Sequence, residues 1–257
     1  MKAKLLFIIL LFAFFIESVS AQTDSTILQI TYEATFPLPN QADSLAHDVD
    51  RLDIGHFGSK FYSLAVSKRV LVDSKTAYYG TPCKYVVYKN LPKKGILEYI
   101  HMPFWITVKD TIDNLFSWKL EDEDSVICEY PCKKATTFFR GRKWTVWYST
   151  DLPYNDGPWK FCGLPGLVMA ARDDSKQFTF TCIGIEKGDL HPIIYPKQAK
   201  RYVSPQRAEE LSQLEITDPE EYFNLMMAGM MKVVKGSSDP KNKVYTAPGL
   251  ETFRKKK

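Results

Sequence analysis

Between residues 84 and 149 the chain breaks into short runs rich in β-branched and aromatic residues, and this rhythm constrains the fold more than any other feature. The runs are 84–89, 96–101, 105–110, 114–121, 126–130, 134–140 and 143–149, separated by Asn-Leu-Pro, Met-Pro, Asp-Glu-Asp and Arg-Gly-Arg breaks. Strands so closely spaced leave no room for crossover helices, so an antiparallel meander is expected, not βαβ units. A further hairpin follows, with 167–172 and 177–186 flanking the Asp173-Asp174-Ser175-Lys176 turn. Upstream, 27–36 alternates apolar and polar residues and reads as a first strand. Residues 37–58 are polar, with Pro, Asn and Asp, and read as a loop. Residues 60–74 are ambiguous, a strand followed by a short helix being one reading.

The C-terminal part changes character. Ser204-Pro205 supplies an N-cap and a first helical position, predicting a helix to about Gln213. Asp218-Pro219 opens a second, with Glu221 completing a capping-box pattern, running to about Val234. That helix carries Met226, Met227, Met230 and Met231. The expected fold class is therefore α+β, mainly β: a curved, half-barrel-like antiparallel sheet with C-terminal helices. Its bounds are a leader at 1–21, one β-rich domain over 22–234, and a Gly-, Ser-, Pro- and Lys-rich tail at 235–257 that reads as disordered.

The leader reads as a cleavable signal peptide. Lys2 and Lys4 precede an unbroken apolar run, and Val19-Ser20-Ala21 offers small residues for cleavage before Gln22. The expected location is the periplasm or the cell surface, with no membrane span after cleavage. The formal charge of +4 falls to about +3 once Lys2, Lys4 and Glu17 leave with the leader, too weak to argue for nucleic acid. Export permits disulfides among Cys83, Cys128, Cys132, Cys162 and Cys182, but an odd number leaves one thiol over, and spacing does not fix the pairing. On an extended strand Cys128 and Cys132 would lie roughly 13 Å apart, too far to bridge. With no C-x-x-C pair and scattered His47, His56, His101 and His191, no metal site is expected, and no cofactor signature is present.

The densest motif spans 144–167, WTVWYSTDLPYNDGPWKFCGLPGL. Asp156-Gly157-Pro158 has turn chemistry. Leu164-Pro165-Gly166-Leu167 has the proline and glycine placement of a type II turn, with its leucines aimed at a core. Gly163 would let the backbone pass close to an aromatic such as Trp159 or Phe161. These residues, with Arg140, Arg142 and Trp147, are the candidate binding or structural positions; no catalytic set is assigned.

FRGR at 139–142, Trp147, LPYNDGPWKF at 152–161 and GLPGL at 163–167 closely resemble the GLPGLI family of exported Bacteroidota proteins. FGSKFYS at 57–63 and Cys132-Lys133-Lys134-Ala135 look like earlier blocks of that family, so the likeness runs over roughly 27–190. Val168 stands where the family name has isoleucine. The resemblance implies an exported envelope protein and carries no established activity.

Three functions compete. The first is non-catalytic binding of an apolar ligand or a protein partner, with a curved sheet and helix as the holder. The methionine cluster would then be core, a ligand contact or a copper(I) site. The second is an accessory of an outer-membrane β-barrel protein, using Arg140, Arg142, Trp144, Trp147 and Trp159 as an exposed anchor surface. The third is an enzyme with Cys162, beside a glycine turn, as nucleophile served by a distant His101 or His191, or with Asp151 and Asp156 as paired carboxylates. Burial of the tryptophans would eliminate the anchor surface.

Overall fold

In the computed structural model the described residues are 24–38, 41–65, 85–102, 104–196 and 200–231. The leader, Cys83 and the tail beyond 231 lie outside them. The strands, in chain order, are β1 (Asp24–Ser25), β2 (Leu28–Leu38), β3 (Gln41–Ile54), β4 (Ser59–Ser63), β5 (Tyr85–Lys89), β6 (Ile96–His101) and β7 (Ile106–Thr111). They continue as β8 (Lys119–Ile127), β9 (Tyr130–Phe139), β10 (Arg142–Ser149), β11 (Leu167–Asp173), β12 (Thr179–Lys187), β13 (Pro192–Ile193) and β14 (Arg201–Tyr202).

One 12-stranded sheet runs β14-β7-β6-β5-β4-β3-β2-β12-β11-β10-β9-β8, and β1 pairs separately with β13. Neighbours are antiparallel except β14, which lies parallel to β7. The sheet is an open one, with β14 and β8 at its edges. It is also strongly curled. Eight strand spacings separate β7 from β10, which would be about 38 Å in a flat sheet. Yet Arg140, in the β9–β10 turn, bonds Asp110 on β7. One aromatic core unites the inner faces of both halves, from Tyr32, Phe61 and Val87 to Trp144, Val146 and Phe180.

Several sequence expectations change here. Residues 37–58 do not form a loop: most of them are β3, paired with β2 from Leu28↔Ile54 to Phe36↔Ala46. Pairing along a whole neighbouring strand outweighs the weak strand preference of its Asp and Gln residues. The Asp122-Glu123-Asp124 break lies inside β8, absorbed by a register shift between Glu121 and Asp124. Residues 126–130 are not one strand but a hairpin tip, with Cys128 and Glu129 at φ 50° and 68°. Residues 114–118 are irregular, and Phe116 there stacks on Trp118 at 5.2 Å and on Phe139 at 4.5 Å. The undecided stretch at 60–74 begins as β4, and its remainder from 66 lies outside the described residues.

The helices start where capping chemistry places them. Ser204 Oγ accepts the Arg207 N–H at 3.1 Å to open α1 (Pro205–Thr217). Asp218 accepts the Glu221 N–H at 3.0 Å to open α2 (Pro219–Met231). Leu211, Tyr222 and Met226 close over Ile106 of β7, so Met226 is a core residue. The side chains of Met230 and Met231 lie outside the described residues. No helix of the described residues is long and apolar enough to cross a membrane.

Candidate functional site

Residues 150–166 leave β10, fold back over the inner face and rejoin the sheet as β11. Two backbone bonds fix the return: Leu167 N–H to Leu152 O and Val168 N–H to Asp156 O, both 2.9 Å. The Tyr32 hydroxyl, itself fully buried, ties Val168 O at 2.7 Å.

The centre of this loop is an ion pair that sequence reasoning did not anticipate. Lys89 on β5 is 1% exposed and Asp156 is 8% exposed. The ammonium donates to Asp156 Oδ1 at 2.5 Å, Gly157 O at 2.6 Å and Phe161 O at 3.1 Å. Asp156 in turn accepts from Ser59 Oγ at 2.6 Å and from Gly157 N–H at 2.7 Å. Lysine has three protons to give, and all three are used inside the protein. A buried charge pair survives only when its remaining hydrogen-bonding capacity is satisfied, which is the case here.

A second anchor sits beside it. Lys160, also 1% exposed, lies 3.4 Å from Asp110 and over the Tyr99 ring at 4.7 Å. Arg140 bonds the same Asp110 carboxylate. Arg142 bonds Asp173 at 2.7 Å and lies over Phe178 at 4.5 Å. Trp144 and Trp159 are both 0% exposed and pack on Phe161 at 5.0 and 5.2 Å. The anchor surface expected from Arg140, Arg142, Trp144, Trp147 and Trp159 is therefore not formed. Its arginines pair inward with carboxylates, and of the three tryptophans only Trp147 reaches solvent, half-buried under Arg172.

The loop's glycines serve differently from expectation. Gly163 takes φ +92°, where only glycine is unstrained, and it passes Trp118, not Trp159 or Phe161. The Trp118 Nε1–H donates to the neighbouring Cys162 carbonyl at 2.8 Å. Gly166 is not in the left-handed region, so Leu164-Pro165-Gly166-Leu167 is not the expected type II turn. Glycine is needed there for close approach: a Cβ would lie 2.1 Å from Ser149 O. Leu164 and Leu167 enter the core as expected, Gly157 and Pro158 are buried, and Pro165 is exposed.

The catalytic readings lose their geometry. Burial pushes the Cys162 thiol up to about 11, opposed in part by Lys89, whereas a nucleophile needs the reverse shift. His101 faces Glu215 at 3.8 Å and His191 faces Asp53 at 3.0 Å. Asp151 is exposed while Asp156 is spent on Lys89, so the two carboxylates do not act as a pair. Cys128, Cys132, Cys162 and Cys182 are all free thiols. Among the described residues no group of His, Cys, Asp and Glu could hold a metal.

The outer face carries its own cover. On it Tyr195, Tyr202 and Lys200, which follow β12 in the chain, converge on the buried carboxylate of Glu98. The contacts are 2.5 Å, 2.9 Å and 3.3 Å. Burial, then the bond to Glu98, pushes the Tyr195 phenol well above its ordinary range.

Porph_ging, a Bacteroidota-associated family described as a protein of unknown function, has a model that matches residues 140–170. Those residues are the second half of the anchor system, from Arg140 to the start of β11. No curated protein matches the sequence. Among solved structures, PNGF-II in its P21 crystal form is 17% identical at a TM-score of 0.50, covering 72% of this chain and 33% of that one. Its C2 form is 15% identical at 0.48, covering 71% and 32%. MucB in complex with MucA(peri) is 10% identical at 0.29, covering 69% and 53%. This chain thus spans about a third of the PNGF-II length, and the likeness bears on the fold alone.

Lys89, Lys160, Ser59, Asp110 and Glu98 were missed by sequence reasoning. A signal for Lys89 was present: in Tyr85-Val86-Val87-Tyr88-Lys89 it shares the parity of the buried Tyr85 and Val87. Nothing local marked its partner, 67 residues away.

Proposed function

We propose that this chain is an exported, non-catalytic binding protein of the GLPGLI type, and that it engages a protein partner through its outside. The observation that carries this reading is the occupancy of the inner face. A carrier of apolar ligands needs a concave apolar pocket. Here the concave side is filled by residues 150–166, whose rings pack with Trp144 and Phe116 and whose Asp156 and Lys160 are tied to the sheet. An apolar guest would have to break two buried ion pairs to enter. Export rests on the leader at 1–21, and the GLPGLI assignment on FRGR, LPYNDGPWKF and GLPGL. An outer-membrane β-barrel protein is a partner that export would bring within reach.

Native mass spectrometry of the protein purified from the cell envelope tests the cleaved leader and the ligand-free inner face. A bare polypeptide beginning at Gln22 is expected. A co-purifying lipid mass would restore the carrier reading, and a chain retaining residues 1–21 would remove the cleaved leader.

A further inference from the structure

We infer that Cys128 and Cys182 form a reactive thiol pair, which a disulfide donor entering the adjoining cleft converts into a bridge from the β8–β9 tip to β12. In the sheet order, four strand spacings separate β8 from β12, about 19 Å if flat. The curl removes that distance. Cys128, at the left-handed hairpin tip, donates its thiol to the Cys182 carbonyl at 3.1 Å. Cys182 sits at a bulge in β12, where the register against β2 shifts between Cys182 and Gly184. Cys128 and Ile127 of the tip pack against the core, as does Ile185 of β12.

The three sulfurs of this region are not equivalent. Cys132 and Cys182 are buried, whereas Cys128 is half-buried. Cys128 also lines an open cleft of about 460 Å³ with Glu129, Tyr130, Ile185 and Lys187. Neither Cys132 nor Cys182 lines it, so Cys128 is the thiol a donor reaches first. Burial pushes the Cys132 thiol up to about 11 and the Cys182 thiol up to about 12, the latter with help from its hydrogen bond to Cys128. Cys132 turns its thiol to Tyr130 O at 3.4 Å, whereas Cys182 is hydrogen-bonded to Cys128 through its thiol and its carbonyl, which makes Cys182 the resolving group.

The exchange is balanced by the donor. The Cys128 thiolate attacks one sulfur of the donor disulfide, forming a mixed disulfide and expelling a donor thiolate. The Cys182 thiolate then attacks the Cys128 sulfur and expels the second donor thiolate. Two protons and two electrons pass from the protein to the donor, which leaves as two thiols. The second step is the slow one, because little Cys182 is ionised at neutral pH.

The test uses the purified full chain, reduced and then treated with oxidised glutathione under native conditions, followed by alkylation and peptide mapping. We expect two thiols to be lost, a Cys128–Cys182 peptide, and a transient glutathione adduct on Cys128. Cys182→Ala should trap that adduct, and Cys132→Ser should leave the bridge intact. An unchanged thiol count, or a bridge from Cys128 to Cys132 or Cys83, overturns the inference. If Cys182→Ala does not fold, Cys128→Ser decides: at a half-exposed turn it should fold and form no bridge to Cys182, and oxidation of Cys182 there by glutathione contradicts the order of attack.

Discussion

Residues 150–166 on the inner face and residues 188–196 with 200–202 on the outer face each bury a carboxylate against a lysine, but by different means. On the inside, Asp156 and Lys89 are completed by backbone carbonyls, a backbone N–H and Ser59, and aromatic rings exclude water from the surroundings. On the outside, Glu98 is completed by two phenol hydroxyls, and Tyr202 remains exposed. The inner cover is dense in Pro, Gly and Trp because it must reverse direction inside a packed space. The outer cover lies along a surface and carries fewer of them, Gly188, Pro192 and Pro196, with no Trp. A conspicuous motif here marks where the backbone is most constrained, and the partners of its charges, Lys89 and Asp110, lie elsewhere in the sequence.

The comparison can be broken at the inner loop first. Gly166→Ala drives a methyl into the Ser149 carbonyl, which is backbone and cannot swing away. A loss of roughly 4 kcal/mol or more, or failure to fold, is expected in urea denaturation. Wild-type-like stability would mean that the loop is loose. Lys89→Ala leaves Asp156 buried and unpaired, at an expected cost of about 3–5 kcal/mol, and Lys89→Met should recover part of it if packing around the stem matters. On the outer face the same experiment should read smaller. Tyr195→Phe removes the bond donated to Glu98 and the one accepted from Lys200 but leaves those two charges paired, and should cost about 1.5–3 kcal/mol; a loss equal to that of Lys89→Ala would erase the difference between the covers.

The smallest effect is in pH. The Cys162 thiol, ordinarily near 9.0, is raised to about 11 in the folded chain. The folded protein therefore holds this proton more tightly than the unfolded one. Its contribution is complete below about pH 9 and is lost as pH climbs towards about 11. Urea midpoints should fall across that window, less steeply in Cys162→Ala. An unchanged slope in the variant would place the alkaline weakness elsewhere, the raised tyrosines being next.

Much of the sheet was legible because its strands alternate or carry β-branched runs: β5, β6, β10 and β11 fall where the sequence puts them. β3 was not, since Asp48, Asp50 and Asp53 disguise a strand whose stability comes from pairing with β2. The hairpin tip at Cys128-Glu129 was hidden because neither residue is a usual left-handed one. At the loop, Leu164 and Leu167 were read correctly from local chemistry. Asp156 was read as a turn former, and its bonds to Lys89 and Ser59 join residues far apart in sequence, so no local pattern could disclose them.

The central claim is that residues 150–166 are a permanent part of the core and not a movable cover over a binding cavity. Native-state amide hydrogen exchange tests it most directly. The N–H groups of Gly157 and Phe161, bonded to Asp156 Oδ1 and Pro158 O, should exchange as slowly as those of β10 and β11. Exchange at these two amides that is many-fold faster than in the flanking strands, or that slows when an apolar ligand is added, would contradict the account.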